Sequence, residues 1–130
     1  MIALPAWMFV ALGSAIGGVA RYGVATVFPL LPGRWPIATM LVNLTGSLLI
    51  GIFSVALGSR GAGPDTLRLF WLTGVLGGFT TYSAFALETT LLVGAGANLR
   101  AFGYVLVTVL GCLAAALAGR AIGGLIAGET

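Results

Sequence analysis

The chain has 130 residues, of which 59% are hydrophobic and 7% are charged, with a formal net charge of +3. Soluble domains carry about a quarter charged residues, so a water-soluble fold is excluded, and disorder is excluded because it requires low hydrophobicity. The sequence has no histidine and a single cysteine, Cys112, which excludes a disulfide framework or a His/Cys metal cluster within one chain. We therefore expect an integral membrane protein in a lipid bilayer.

Four apolar stretches are long enough to cross about 30 Å of hydrocarbon at about 1.5 Å per helical residue. They are Met1–Ala20, extending to about Phe28; Ile37–Leu57; Leu69–Leu87, extending to about Val93; and Ala101–Gly119, extending to about Leu125. Short connections rich in glycine and proline join them, and nothing is left for a soluble domain. The sequence predicts one all-α domain over residues 1–130 with four transmembrane helices.

The first span introduces small residues four apart, a spacing that lets helices approach closely in lipid. Such pairs recur along the chain: Gly13/Gly17, Ser14/Gly18, Ser47/Gly51, Gly74/Gly78 and Gly119/Gly123. Some of them serve packing within the chain, but their number leaves surface for a partner. Four short helices also enclose too little space for an aqueous path, so we expect more than one copy to be needed.

The basic residues are all arginines spread singly, which argues against a nucleic-acid-binding patch. With an even number of spans, one side of the membrane holds Arg60, Arg68 and Arg120, and the other holds Arg21, Arg34 and Arg100. This balance gives the positive-inside rule no direction, so we predict insertion in both orientations; the alternative is a weak bias that the count misses. Dual insertion and small-residue faces together favour an antiparallel homodimer.

Polar residues within the spans need a partner or a water-filled cavity. One helical face of the second span carries Thr39, Asn43 and Ser47, and the fourth span carries Tyr104, Thr108 and Cys112 at the same spacing. Hydroxyl and thiol groups often bond to their own helix backbone, so each of them alone indicates little. Asn43 differs, because its amide cannot be satisfied in that way alone, and it is a candidate functional residue.

The densest signal lies in the third span, in Gly77-Gly78-Phe79-Thr80-Thr81-Tyr82-Ser83-Ala84-Phe85. Two glycines followed by two threonines are poor helix formers, which favours a break over the alternative, a continuous helix with a glycine packing notch. Carbonyls unwound within a membrane must be buried or line a cavity, and such breaks commonly place them around a cation. Tyr82 and Phe85 then lie on one side, and the positive edge of an aromatic ring can contact an anion.

A catalytic set is not apparent from the sequence. There is no histidine or lysine, and Glu88 is the one carboxylate predicted within a span, since Asp65 and Glu129 lie outside the spans. We do not expect an enzyme.

These residues resemble the Fluc/CrcB family of fluoride channels, and the resemblance covers essentially all four spans. It rests on Gly17-Gly18-Val19-Ala20-Arg21-Tyr22, on residues 39–47, on the third-span motif followed by Glu88, and on Tyr104. The resemblance implies a multi-pass protein of a bacterial or archaeal cell (inner) membrane. It also implies a dual-topology antiparallel homodimer with two fluoride pores, a third helix broken within the membrane, and a Na⁺ ion at the dimer centre.

The resemblance also assigns roles to residues. It implies that carbonyls of Gly77 and Thr80 hold the Na⁺. The implied fluoride path follows Asn43, Tyr82 and Phe85, with Thr39, Ser83, Tyr104 and Thr108 extending a polar track and Arg21 near a vestibule. The family usually has phenylalanine where this chain has Tyr82, so the chain departs from the family at this position by one hydroxyl. The implied activity is passive, fluoride-selective export that relieves fluoride toxicity.

Two other functions are compatible with four short spans. A small multidrug-type proton-coupled exporter would need a carboxylate in the first span, where this chain has none. An accessory subunit of a larger membrane complex would pass no ions alone.

Overall fold

The computed structural model describes residues 5–58 and 65–128, which are helical apart from short connections. Helix α1 spans Ala6–Val27, α2 spans Ile37–Ala56, α4 spans Tyr82–Gly94 and α5 spans Asn98–Ala127. Residues 66–79 form a further helix, here α3, which consists of Thr66–Arg68, a π-helical stretch over Leu69–Leu76, and Gly77–Phe79. Most of the predicted connection between the second and third spans, with Arg60, lies outside the described residues, as do Glu129 and residues 1–4 of the predicted first span.

Three of these helices, α1, α2 and α5, are long and apolar enough to cross a membrane. Their bounds follow the predicted spans closely: α1 ends at Val27 instead of Phe28, and α5 begins at Asn98 instead of Ala101. The predicted third span corresponds to α3 and α4. The prediction of an all-α, multi-pass membrane protein is confirmed.

Helices α1 and α3 run parallel and touch through glycines. A Cβ placed at Gly13 would lie 2.9 Å from the Gly74 Cα atom, and one at Gly78 would lie 2.6 Å from the Ser14 carbonyl oxygen. A Cβ at Gly17 would collide with the backbone carbonyl of Val75. The two backbones therefore meet directly, without side chains between them.

Helices α2 and α5 form a second parallel pair of the same kind. A Cβ at Gly51 would lie 3.0 Å from the Gly119 Cα atom, and one at Gly123 would lie 2.6 Å from the Ile52 carbonyl oxygen. Because residue numbers rise together along both helices, their N-termini lie at the same end of the molecule.

These contacts correct one step of the sequence-based argument. Most of the small-residue pairs are used within the chain, so their number does not by itself indicate a partner. Among the glycines in those pairs, only Gly18 has nothing within 4 Å of its missing Cβ. The case for a second copy must come from other features.

Candidate functional site

The site is built around two residues of extended backbone between α3 and α4. Thr80 has φ −79° and ψ 160°, and Thr81 has φ −153° and ψ 122°. At the end of α3, the Thr80 N–H and hydroxyl donate to the Leu76 carbonyl at 3.0 Å and 2.9 Å. At the start of α4, the Thr81 hydroxyl accepts from the Ala84 N–H at 3.2 Å, as an N-cap residue does. Thr80 thus caps the C-terminal end of α3, and Thr81 caps the N-terminal end of α4.

Asn43 of α2 holds this extended segment from the neighbouring helix pair. Its Nδ2 donates to the Thr81 carbonyl at 3.0 Å, and its Oδ1 accepts from the Thr81 N–H at 2.8 Å. The amide is buried and replaces the two backbone hydrogen bonds that Thr81 loses by leaving the helix. Asn43 therefore has a structural role in addition to any contact with an ion.

The same hydrogen bonds release two carbonyl groups. In a continuous α-helix, the Thr81 N–H would donate to the Gly77 carbonyl, and the Ala84 N–H would donate to the Thr80 carbonyl. Here these two N–H groups donate to Asn43 and to the Thr81 hydroxyl instead. The carbonyls of Gly77 and Thr80 are the predicted Na⁺ ligands, and carbonyls freed at a helix break are a recurrent site for such a cation. No group of three His, Cys, Asp or Glu side chains suited to a metal occurs among the described residues.

A cavity of about 290 Å³ lies on one side of the extended segment, and we call it the aromatic cavity. Its lining includes Asn43, Ser47, Thr80, Thr81, Tyr82, Phe85, Thr108 and Cys112. The Thr108 hydroxyl is buried and has no hydrogen-bond partner among the described residues. Buried hydroxyls are almost always satisfied, so this one is available to hydrogen-bond to an occupant of the cavity.

Three aromatic rings lead from the surface to the interior beside this cavity. The exposed fraction falls from 80% at Tyr82 to 7% at Phe85 and 0% at Tyr104. Ring centroids are 5.6 Å apart between Tyr82 and Phe85, and 5.2 Å apart between Phe85 and Tyr104. The tilts of 50° and 51° keep the rings out of a face-to-face stack.

A second cavity, of about 180 Å³, lies on the other side of Thr81, and we call it the charged cavity. Glu88 lines it and accepts from the Thr39 hydroxyl and the Tyr104 hydroxyl, each at 2.7 Å. Arg21 also lines it, and its buried Nε has no hydrogen-bond partner among the described residues. This cavity therefore holds one charge of each sign.

The structure divides the predicted path residues between these two cavities. Asn43, Tyr82, Phe85 and Thr108 line the aromatic cavity, whereas Arg21 and Thr39 line the charged cavity. Ser83 and Tyr104 line neither, and the exposed Ser83 hydroxyl lies 3.3 Å from the Thr81 hydroxyl. Thr81 lines both cavities and separates them.

Sequence reasoning assigned no role to Glu88 or Thr81. The signal for Glu88 was its place as the one carboxylate predicted within a span. The signal for Thr81 was only its place in the third-span motif, because its hydrogen-bond partner Asn43 lies 38 residues away in sequence.

Comparison with known proteins gives a family match over most of the chain. Residues 8–120 match the family described as CrcB-like protein, Camphor Resistance (CrcB). The chain is 45% identical over 115 residues to the fluoride-specific ion channel FluC of Methylobacterium sp. (strain 4-46), covering 88% of this chain and 90% of that protein. Identity is 47% over 114 residues to the FluC of Paracoccus denitrificans (strain Pd 1222), covering 88% and 90%. Identity is 50% over 113 residues to that of Anaeromyxobacter dehalogenans (strain 2CP-1 / ATCC BAA-258), covering 85% and 89%.

Proposed function

The chain belongs to the CrcB family of fluoride channels, and we propose that its fluoride path runs through the aromatic cavity. It is a channel and not an enzyme. Passive flow through a channel exports an anion from a cell whose inside is negative, at about 2.3 kcal/mol per charge per 100 mV. Such export relieves fluoride toxicity without an energy source in the protein.

The observation that carries this path is the unpartnered Thr108 hydroxyl in a cavity that also holds an amide. Fluoride is small and strongly hydrated, so a pore must replace its water with short hydrogen bonds. Asn43 has a second N–H on Nδ2 beyond the one that bonds Thr81, and Thr108 has its hydroxyl proton. The rings of Tyr82 and Phe85 add weak positive edges, which attract an anion without holding it too tightly to leave.

The charged cavity supplies the approach to this path. The unpartnered Nε of Arg21 offers a positive donor to an incoming anion. The Thr39 and Tyr104 hydroxyls already donate to Glu88, so they act on that carboxylate and not on the ion. Glu88 in turn places a fixed negative charge beside the path, which limits how strongly the site as a whole binds F⁻.

The complete channel is an antiparallel homodimer in which α3 and α4 together form the third span. Tyr82 and Ser83 are exposed in the single chain, at the interruption of that span. Hydroxyls and freed carbonyls facing lipid at that depth would each cost several kcal/mol, so a partner surface is needed there. The even distribution of arginines supports opposite orientations of the two copies.

The freed carbonyls of Gly77 and Thr80 fit a Na⁺ ion at the centre of this dimer. The ion would supply positive charge to oxygens that have lost their helical donors. We expect a higher thermal unfolding midpoint in NaCl than in KCl at the same ionic strength, because an ion that binds only the folded state stabilises it. Equal midpoints in both salts would remove Na⁺ from the proposal.

The path is tested by fluoride efflux from liposomes that contain only the purified chain, followed with a fluoride electrode. Fluoride should be released and chloride retained. Phe85→Ile should slow efflux at least about tenfold, equivalent to about 1.4 kcal/mol, because the aliphatic side chain has no positive edge. Phe53→Ile is the matched control, because Phe53 lines neither cavity and its ring centroid lies 5.4 Å from that of Trp71. Equal rates in the two variants would place the path elsewhere.

Orientation is tested with a single cysteine at the exposed position Asn98, in a Cys112→Ser background. A thiol reagent that does not cross membranes should label about half of the copies in sealed vesicles if insertion is dual. Labelling after detergent addition gives the total. A labelled fraction of all or none would reject opposite orientations.

A further inference from the structure

The connection between α1 and α2 carries basic and aromatic side chains that the fluoride path does not use. Arg34, Trp35, Ile37 and Arg100 line a cavity of about 350 Å³. A second cavity of about 420 Å³ is lined by residues 95–100 and shares Arg100 with the first. Both arginines are exposed, and no acidic side chain of the described residues lines either cavity. We call Arg34, Trp35 and Arg100 the interfacial cluster.

The interfacial cluster is held in place by contacts with α5. The Arg100 Nη1 donates to the Gly33 carbonyl at 2.6 Å, and Gly33 adopts φ +66°, a conformation that glycine tolerates. The Trp35 ring would lie 3.3 Å from a Cβ at Gly103, so the ring packs directly against the α5 backbone. A guanidinium has five N–H donors, so Arg100 keeps others for a ligand after bonding Gly33. Arg100 and Trp35 are therefore held in place before any ligand arrives.

The cluster lies where two membrane-crossing helices begin. Helix α2 starts at Ile37 and the parallel helix α5 starts at Asn98, so both N-termini share this end. Tryptophan is enriched at the depth where spans meet the headgroup layer. Leu99 and Phe102, which flank Arg100 within one turn of α5, are 83% and 62% exposed and provide apolar surface beside the charges. Cationic side chains next to an apolar surface match the two parts of a phospholipid.

We propose that the interfacial cluster binds the phosphate of an anionic phospholipid, with the acyl chains against Leu99 and Phe102. Guanidinium groups match phosphate in bidentate geometry, and two of them are available on one cavity. Neither helix start has a side-chain cap, and the N-terminal ends of the α2 and α5 helix dipoles add positive potential at this end. Free phosphate shares the headgroup chemistry but would make no use of the apolar surface.

The test uses native mass spectrometry of the purified full-length chain with phosphatidylglycerol, phosphatidylcholine or inorganic phosphate added. We expect phosphatidylglycerol adducts to survive at energies that remove phosphatidylcholine, and inorganic phosphate not to displace them. Arg34→Gln should weaken phosphatidylglycerol binding about tenfold. This variant leaves the Arg100–Gly33 hydrogen bond intact, so loss of the fold is not expected, and far-UV circular dichroism checks it.

Arg120→Gln is the matched control, because Arg120 is an exposed arginine near the other end of α5 and its loss changes the charge equally. It should keep its phosphatidylglycerol adducts. Equal losses in the two variants would show that net charge, and not the cluster, retains lipid. Displacement by inorganic phosphate alone would show a free-phosphate site and overturn the lipid assignment.

Discussion

Two kinds of contact join the helices of this protein, and they have different roles. The glycine contacts within each parallel pair, α1 with α3 and α2 with α5, bring backbones together without side chains between them. The contact of the α2–α5 pair with α4 and the extended segment before it is different, because its side-chain hydrogen bonds gather on residues 81–88. Glycine contacts set the positions of the helices, whereas the polar contact carries the chemistry. Substitutions should therefore separate stability from ion flux.

The largest expected effect is on stability at a glycine contact. Gly17→Ala should cost at least about 3 kcal/mol, because its Cβ would overlap the Val75 carbonyl, a backbone atom that cannot move aside. Gly18→Ala, one position along the same helix, meets nothing within 4 Å and should be neutral. Thermal unfolding in detergent measures both. Equal thermal unfolding midpoints in the two variants would show that the α1–α3 contact has room for a methyl group at Gly17.

Asn43→Asp should abolish fluoride efflux with a smaller loss of stability. The new carboxylate repels F⁻ and no longer donates to the Thr81 carbonyl, which removes a hydrogen bond worth about 1–3 kcal/mol. Asn98→Asp is the matched control, since Asn98 is exposed outside both cavities. Liposome efflux and unfolding midpoints are compared for the two variants. Undiminished flux in Asn43→Asp would remove Asn43 from the path.

Glu88→Gln tests the hydrogen-bond centre between the cavities. The charge-assisted bonds from Thr39 and Tyr104 become neutral ones, so we expect a loss of about 1–2 kcal/mol in stability. Fluoride efflux should persist, and its rate should change much less than in Asn43→Asp, because Glu88 does not line the aromatic cavity. Complete loss of flux in a folded variant would place Glu88 on the path itself.

Tyr82→Phe should have the smallest effect. The ring is 80% exposed in the single chain, and no hydrogen bond joins its hydroxyl to another described residue. We expect a change in unfolding free energy below about 0.5 kcal/mol, as for surface substitutions, and a change in efflux of only a few-fold. A large change in flux would show that the hydroxyl takes part in conduction and distinguishes this chain from relatives with phenylalanine.

Hydropathy predicted the span positions well, because apolar length is a property that each segment carries on its own. The starting residue of α2, Ile37, was predicted correctly after Trp35-Pro36. The pairing of helices was not predictable in this way, because a glycine permits close approach by any helix and does not specify which one. The sequence therefore did not tell which of the small-residue pairs pack within the chain, and the structure places Gly17 and Gly78 at contacts inside it.

Within the site, the residue types were predictable and their partners were not. Asn43 stood out because a lone amide in a span needs a partner, but only the fold shows that Thr81 is that partner. The resemblance placed Thr39 and Tyr104 on a polar track without naming their partner, and in the structure both hydroxyls donate to Glu88. Side chains from three helices meet there, and sequence spacing describes only one helix at a time.

The two-point attachment of Thr81 to Asn43 has a consequence for how ions can cross. Alternating access requires one group of helices to rock against another while the substrate waits between them. Here the extended segment between α3 and α4 is hydrogen-bonded to α2 at two points, and within each helix pair the backbones are in direct contact at the glycines, which opposes sliding of one helix along the other. We therefore expect the ion to move through the path while the helix pairs keep their relative positions.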